Sequence, residues 1–186
     1  SDLPYEKNVE ETKKVVDSAH KKGLLVEGEI DKISGSREVH EEELDIALIK
    51  TMYTDPKQAD RFVKATNVDV FAPFFGNVHG TFPVEPILDI ALLSTIRDVL
   101  PNTFLSLHGG SGISADQVKE AIQVGKIVKV NINTELRVAY KDALVQKLGE
   151  NPNEYRIYGL MPEVVLAVAS VVENKIDVIG SAGKVG

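Results

Sequence analysis

The sequence predicts an α/β fold, a parallel sheet covered by helices on both faces. Three observations carry that prediction. Short apolar, β-rich runs recur at 24–30 (LLVEGEI), 68–75 (VDVFAPFF), 103–107 (TFLSL) and 127–133 (IVKVNIN). Each is followed by a segment of helical periodicity, so the chain reads strand then helix, four times over. Apolar strands joined by helical connections build parallel sheets whose two faces are both buried. Right-handed crossovers then close the chain toward an open doubly wound sheet or a barrel. No GxGxxG follows the first strand, which disfavours the dinucleotide-binding version.

The elements follow in order. Residues 5–22 place Val9, Thr12, Val15, Val16 and Ala19 on one helical stripe, which Gly23 ends. Ser1 or Asp2 is placed to cap that helix, and Pro4 suits its first turn. Residues 31–40 are polar and read as a loop, and 41–50 read as helix. Asp55 caps a helix over 55–66, with Pro56 at its first position. Residues 86–99 read as helix, stopped by Pro101 and Asn102. Ser114 caps a helix that Gly125 ends. Two more helices are expected over 134–150 and 161–174, before a tail.

Composition narrows the function. The 186 residues are 43% hydrophobic and 26% charged, with a net charge of −7 and no cysteine. Disulfide frameworks and thiolate chemistry are excluded. No basic stripe marks a nucleic-acid surface. No apolar run approaches the ~20 residues of a membrane span, so no membrane partner is expected. A cytoplasmic location fits this composition.

In parallel α/β folds, ligands sit at the carboxyl ends of the strands. The four strand ends here share a chemistry. The first carries Glu27 and Glu29, two apart and therefore on one face. The second ends FGNVHG, with Asn77, His79 and Gly80; the third ends HGGSG, with His108. The fourth ends NINTE, with Asn131, Asn133 and Thr134. Two imidazoles and one or two carboxylates on one rim form a nitrogen and oxygen donor set that suits zinc. The glycines beside them leave backbone N–H groups open, Ser111 and Thr134 add hydroxyls, and both loops lead into helix starts. Those are the components of an anion cradle. On this reading His108 holds a metal, and Gly109 to Gly112 hold an anion beside it. His40 reads as an exposed loop residue, and His20 lies at the end of the first helix, away from the rim.

With these motifs in view, the chain resembles the class II, zinc-dependent fructose-bisphosphate aldolases and the related tagatose-bisphosphate aldolases. GNVHG, LHGGSGI and KVNINTELR occur in the family's order. The opening stretch through VEGEI resembles the family's Gly-Ser-x-x-Pro, helix and Val-Glu-Ala-Glu strand. The resemblance runs from Ser1 nearly to the last residue. It implies the C-terminal half of a (β/α)8 TIM barrel, about strands five to eight. It also implies zinc-dependent aldol cleavage of fructose 1,6-bisphosphate to dihydroxyacetone phosphate and glyceraldehyde 3-phosphate.

By resemblance, His79 and His108 are zinc ligands, and Glu29 is the acid that approaches the metal when it shifts. Gly80, Gly109, Ser111, Asn133 and Thr134 bind dihydroxyacetone phosphate, mostly at its phosphate. Asn131 lies near the enediolate. A monovalent cation, Na+ or K+, often helps hold that phosphate. The family's mobile acid/base Glu has no strict counterpart: SGSREVHEEE places Arg37 there and Glu38 one position on, so Glu38 is the candidate. The family's Asp-His pair, which brings its catalytic Asp and a further zinc His, belongs to an earlier strand. Residues upstream of Ser1 are therefore expected. The resemblance also implies a homo-oligomer, a dimer or tetramer. Two other readings stand beside it: a tagatose-bisphosphate aldolase, and a non-catalytic half-barrel that keeps only the phosphate site.

Overall fold

In the computed structural model, residues 3–31, 46–80 and 82–184 are described. Four parallel strands lie side by side in chain order, β1 (Glu27–Gly28), β2 (Val70–Phe71), β3 (Phe104–Leu107) and β4 (Ile127–Val130). Sequential parallel strands, each returning through a helix, are the arrangement of half a (β/α)8 barrel. The connections are α1 (Tyr5–His20) before β1, then α2 (Ile46–Lys50) and α3 (Pro56–Thr66). α4 (Ile90–Val99) precedes β3, and α5 (Ala115–Gly125) precedes β4. α6 (Thr134–Glu150) and α7 (Ile157–Val178) close the chain.

The main core lies between sheet and helices. Phe62 of α3, Phe71 of β2, Leu93 and Ile96 of α4, Leu105 and Leu107 of β3, and Ala121 of α5 are wholly buried in one cluster. Gly28 faces α3, where a Cβ would stand 2.9 Å from the Phe62 ring, so the small residue lets helix and strand approach. The opposite pleat carries the polar residues. The β3–β4 register shifts between Leu105 and Ser106, leaving Val128 exposed and pairing Ser106 with Lys129. A bulge of this kind re-aims the side chains that follow it. Here it turns Lys129 toward Glu27 on the far strand, Nζ to Oε2 3.0 Å.

Helix ends follow local chemistry with some departures. Asp55 caps α3 as expected, accepting from the Gln58 N–H at 2.8 Å, with Pro56 in the first turn. Asp55→Ala is expected to cost about 1 kcal/mol, read as a lower urea midpoint at unchanged slope. α4 starts at Ile90, not at 86, because Asp89 accepts from the Leu92 N–H at 2.9 Å, and Pro86 lies ahead of the helix. Ser114 makes no side-chain cap. Its N–H is instead donated to Glu85 at 2.8 Å. Lys126 takes the left-handed position after α5, at φ 52°. Gly125 instead admits Leu93, 2.9 Å from where a Cβ would stand. α1 starts after Pro4, and Ser1 and Asp2 lie outside the described residues. Of the predicted helix 41–50, the part over 41–45 also lies outside them.

α7 corrects two expectations. It runs 22 residues rather than 14, with Pro162 inside its second turn. It is also long and apolar enough to cross a bilayer by length and composition, with a mean hydropathy of 1.3 over an 18-residue window. It packs alongside α6, joined by Lys147 to Glu163 at 2.5 Å, and it carries Glu173, Lys175 and Asp177 near its end.

Candidate active site

The carboxyl ends of the four strands open into one cleft of ≈ 510 Å³. Its walls are Glu29 after β1, His79 and Gly80 after β2, His108, Gly109 and Ser111 after β3, and Val130 at the end of β4 with residues 131–134 after it. The residues that the resemblance assigns to metal or to dihydroxyacetone phosphate and that lie among the described residues are all on this surface. Glu27, Gly110 and Gly112 are not, and the expected open N–H groups of Gly110 and Gly112 are taken by the Asn131 carbonyl and by Glu135. Glu38 and His40 lie outside the described residues. His20 lies at the other end of the strands, with Nε2 2.9 Å from Asp69, the residue before β2.

His108 is the most constrained group in the cleft. Its Nε2 lies 2.8 Å from Glu27 Oε1 and its Nδ1 3.4 Å from Glu29 Oε2. The contact with His108, joined by Lys129, outweighs burial and holds the Glu27 carboxyl down to about 2. The same contact, with Glu29 second, lifts the imidazole to about 9 against the opposing effect of burial. Glu29 is lowered too, chiefly by its hydrogen bond with His108. Glu27 lies behind the ring rather than in the cleft wall and sets its orientation, while Glu29 is in the wall itself. Asp31, just beyond, is raised by burial and takes a hydrogen bond from the Thr54 hydroxyl.

His79 faces His108 at a ring-centroid distance of 6.4 Å, with the ring planes 24° apart. Glu29 adds a carboxylate to the same wall. The donor chemistry fits zinc. Among the described residues, no three such side chains are gathered closely enough to form a complete ligand set. A catalytic zinc takes three protein ligands, so the set needs one more donor.

The glycine loop is shaped by its neighbours. Gly109 has φ +63°, and a Cβ there would overlap the backbone carbonyl of Val78. Gly80 and Gly112 also have positive φ, at 100° and 77°. Gly110 donates its N–H to the Asn131 carbonyl at 2.9 Å, and Asn131 donates to Leu107 at 2.8 Å, so the third and fourth strand ends are laced together. Asn77, fully buried, donates to the His108 carbonyl at 3.1 Å and accepts from the Phe75 N–H at 2.8 Å. It braces the two His-Gly exits against each other. Ser111 is buried, and its Oγ accepts from the Asn133 N–H at 3.2 Å and from the Glu135 N–H at 3.4 Å. It therefore caps α6 from a neighbouring loop, a task Asn133 leaves undone.

Sequence reasoning missed three charged groups around this cleft: Lys129 on Glu27, Glu135 on the Gly112 N–H, and Lys175 on Glu135. Lys129 sits two residues before Asn131, which directly follows β4, so period-2 alternation carried past the strand end points to the same face. Lys175 lies 40 residues from its partner on a different helix and has no local signal.

A parallel half-barrel whose strand ends open on one polar cleft is the architecture of barrel enzymes. The chain matches the family described as Fructose-bisphosphate aldolase class-II over residues 1–184, and it belongs to that family. It is 37% identical over 181 residues to the fructose-bisphosphate aldolase of Geobacillus stearothermophilus, a match covering 97% of this chain and 60% of that protein. It is similar in structure to the YdjI aldolase from Escherichia coli K12, with a TM-score of 0.79 and 35% identity over 99% of this chain and 60% of that one. A fructose-bisphosphate aldolase from Campylobacter jejuni, 18% identical, shares the fold with a TM-score of 0.73 over 97% of this chain and 58% of that one. The chain thus spans about 60% of the length of the relatives it matches.

Proposed function

We propose that this chain carries the zinc and phosphate portion of a class II aldolase active site, which cleaves fructose 1,6-bisphosphate to dihydroxyacetone phosphate and glyceraldehyde 3-phosphate. The observation that supports it most is the cleft. His79, His108 and Glu29 share its wall with Gly80, Gly109, Ser111, Asn131, Asn133 and Thr134. Those residues come from four strand ends that are far apart in sequence.

On this reading His79 and His108 hold the ion, with Glu29 as its alternate partner and a further donor from outside the described residues. Bound zinc supplies Lewis-acid polarisation of the ketose oxygens. The chain's own groups do the rest. Gly109, Gly80 and Thr134 at the start of α6 present backbone N–H groups to the phosphate, where the α6 dipole favours negative charge. A Na+ or K+ ion is proposed to share that phosphate. Asn131 lies beside the carbon chain and orients it across the C3–C4 bond. As that bond breaks, the O4 hydroxyl loses its proton and becomes the aldehyde, and the three-carbon fragment then takes up a proton. Glu38 is the proposed proton carrier. The protein is proposed to act in the cytoplasm as a homo-oligomer, dimer or tetramer. The exposed Tyr140, Val145, Val165 and Leu166 of α6 and α7 support that assembly.

The test is cleavage of fructose 1,6-bisphosphate by the full-length protein, coupled to triose phosphate detection, with tagatose 1,6-bisphosphate in parallel. Activity is expected to vanish in a chelator and to return with Zn2+. A preference for tagatose 1,6-bisphosphate would reassign the sugar and leave the chemistry standing. No cleavage of either sugar by zinc-loaded protein would leave the non-catalytic half-barrel as the reading.

A further inference from the structure

We propose that Glu135 and Lys175 form a charge-neutral support behind the Gly109–Gly112 loop. Glu135 positions the loop, and Lys175 cancels the carboxylate so that the loop still accepts an anion. The inference rests on the reading of the cleft as a phosphate site.

Glu135 grips the loop from two directions. Its Oε1 accepts the Gly112 N–H at 2.7 Å, and its own backbone N–H is donated to Ser111 Oγ at 3.4 Å. Gly112 sits at φ +77°, so its N–H direction depends on a conformation that needs holding. Neither Glu135 nor Lys175 is part of the cleft wall, so both are positioning residues.

The electrostatics then require a cation. A carboxylate immediately behind a phosphate-binding loop repels the ligand, since like charges a few ångströms apart disfavour each other's charged forms. Lys175 of α7 answers this, with Nζ 2.6 Å from the other oxygen, Glu135 Oε2. Both side chains are largely shielded, at 18% and 24% exposure, so solvent screens the pair only in part. A purely structural bridge between α6 and α7 has the same geometry, but the two roles differ in what happens when each charge is removed.

The experiment uses the zinc-loaded full-length protein, with KM and kcat for fructose 1,6-bisphosphate and the Ki of inorganic phosphate as readouts. Lys175→Met leaves a bare carboxylate and is expected to raise KM and Ki about tenfold, with kcat within roughly twofold. Adding Glu135→Gln to it removes that charge while keeping an oxygen for the Gly112 N–H. The double variant is expected to return to within about threefold of the parent. Lys175→Arg is expected to behave like the parent.

Lys175→Met with unchanged KM and Ki would overturn the proposal, and so would a double variant worse than Lys175→Met. Should Lys175→Met fail to fold, Glu135→Leu against Glu135→Gln decides it: Leu alone is expected to raise Ki, and equal values for both overturn it. If the parent binds phosphate by calorimetry but cleaves no sugar, the catalytic reading falls, and the Ki comparison, made as a Kd, still tests the pair.

Discussion

His108→Ala in the full-length protein is expected to lose bound zinc and to cleave fructose 1,6-bisphosphate at least about a thousandfold more slowly. Three effects converge on this one ring. Among the described residues, it is one of the two imidazoles in the cleft wall. Its removal leaves Glu27 and Glu29, both partly buried, without the partner that holds them 2.8 and 3.4 Å away. Two like charges then face each other across the space it leaves. Metal analysis of the purified variant checks the first effect, and the coupled assay checks the rate. His20→Ala is the matched control: that ring pairs with Asp69 at the opposite end of the strands, so zinc content and kcat are expected to stay at parent values. Full activity of His108→Ala without bound zinc would remove the aldolase mechanism altogether.

Gly109→Ala is expected to cost at least about 3 kcal/mol of stability, a fall in Tm of roughly 6–12 °C, together with loss of phosphate binding. Two independent penalties act there. The residue sits at φ +63°, in the left-handed region that glycine occupies freely. An added Cβ would also overlap the Val78 carbonyl, a backbone atom that cannot swing aside as a side chain would. Because Asn77 ties the same peptide region to His108 at 3.1 Å, relief by moving the 76–80 segment would shift both His-Gly exits together. Thermal denaturation and phosphate titration check the two halves of this result. A variant that melts within about 2 °C of the parent would show that the loop yields.

The parts of the fold that were legible in the sequence are those governed by local pattern. The strands fall inside the four apolar runs, and Asp55 at a helix start gave the α3 cap because its chemistry lies within three residues. The ladders are shorter than the apolar runs that contain them. The apolar runs at 24–30 and 68–75 form ladders of only two residues each, Glu27–Gly28 and Val70–Phe71. Hydrophobic runs report burial, whereas ladder length depends on how far neighbouring backbones stay in register. α4 begins at Ile90 rather than at 86, because Asp89 supplies the cap to the Leu92 N–H.

The sequence by itself determined the residue types at the four strand ends, since period-2 alternation and turn glycines are local properties. From that alone, two imidazoles, a carboxylate and a glycine loop belong on one rim. The tertiary structure decided which charges meet there. Glu27 reaches Lys129 across 102 positions of chain, and Gly112 reaches Glu135, which pairs with Lys175 of another helix. No sequence period encodes those pairings. They arise because sheet twist, a bulge in β4 and the packing of α6 on α7 bring charges distant in sequence into contact.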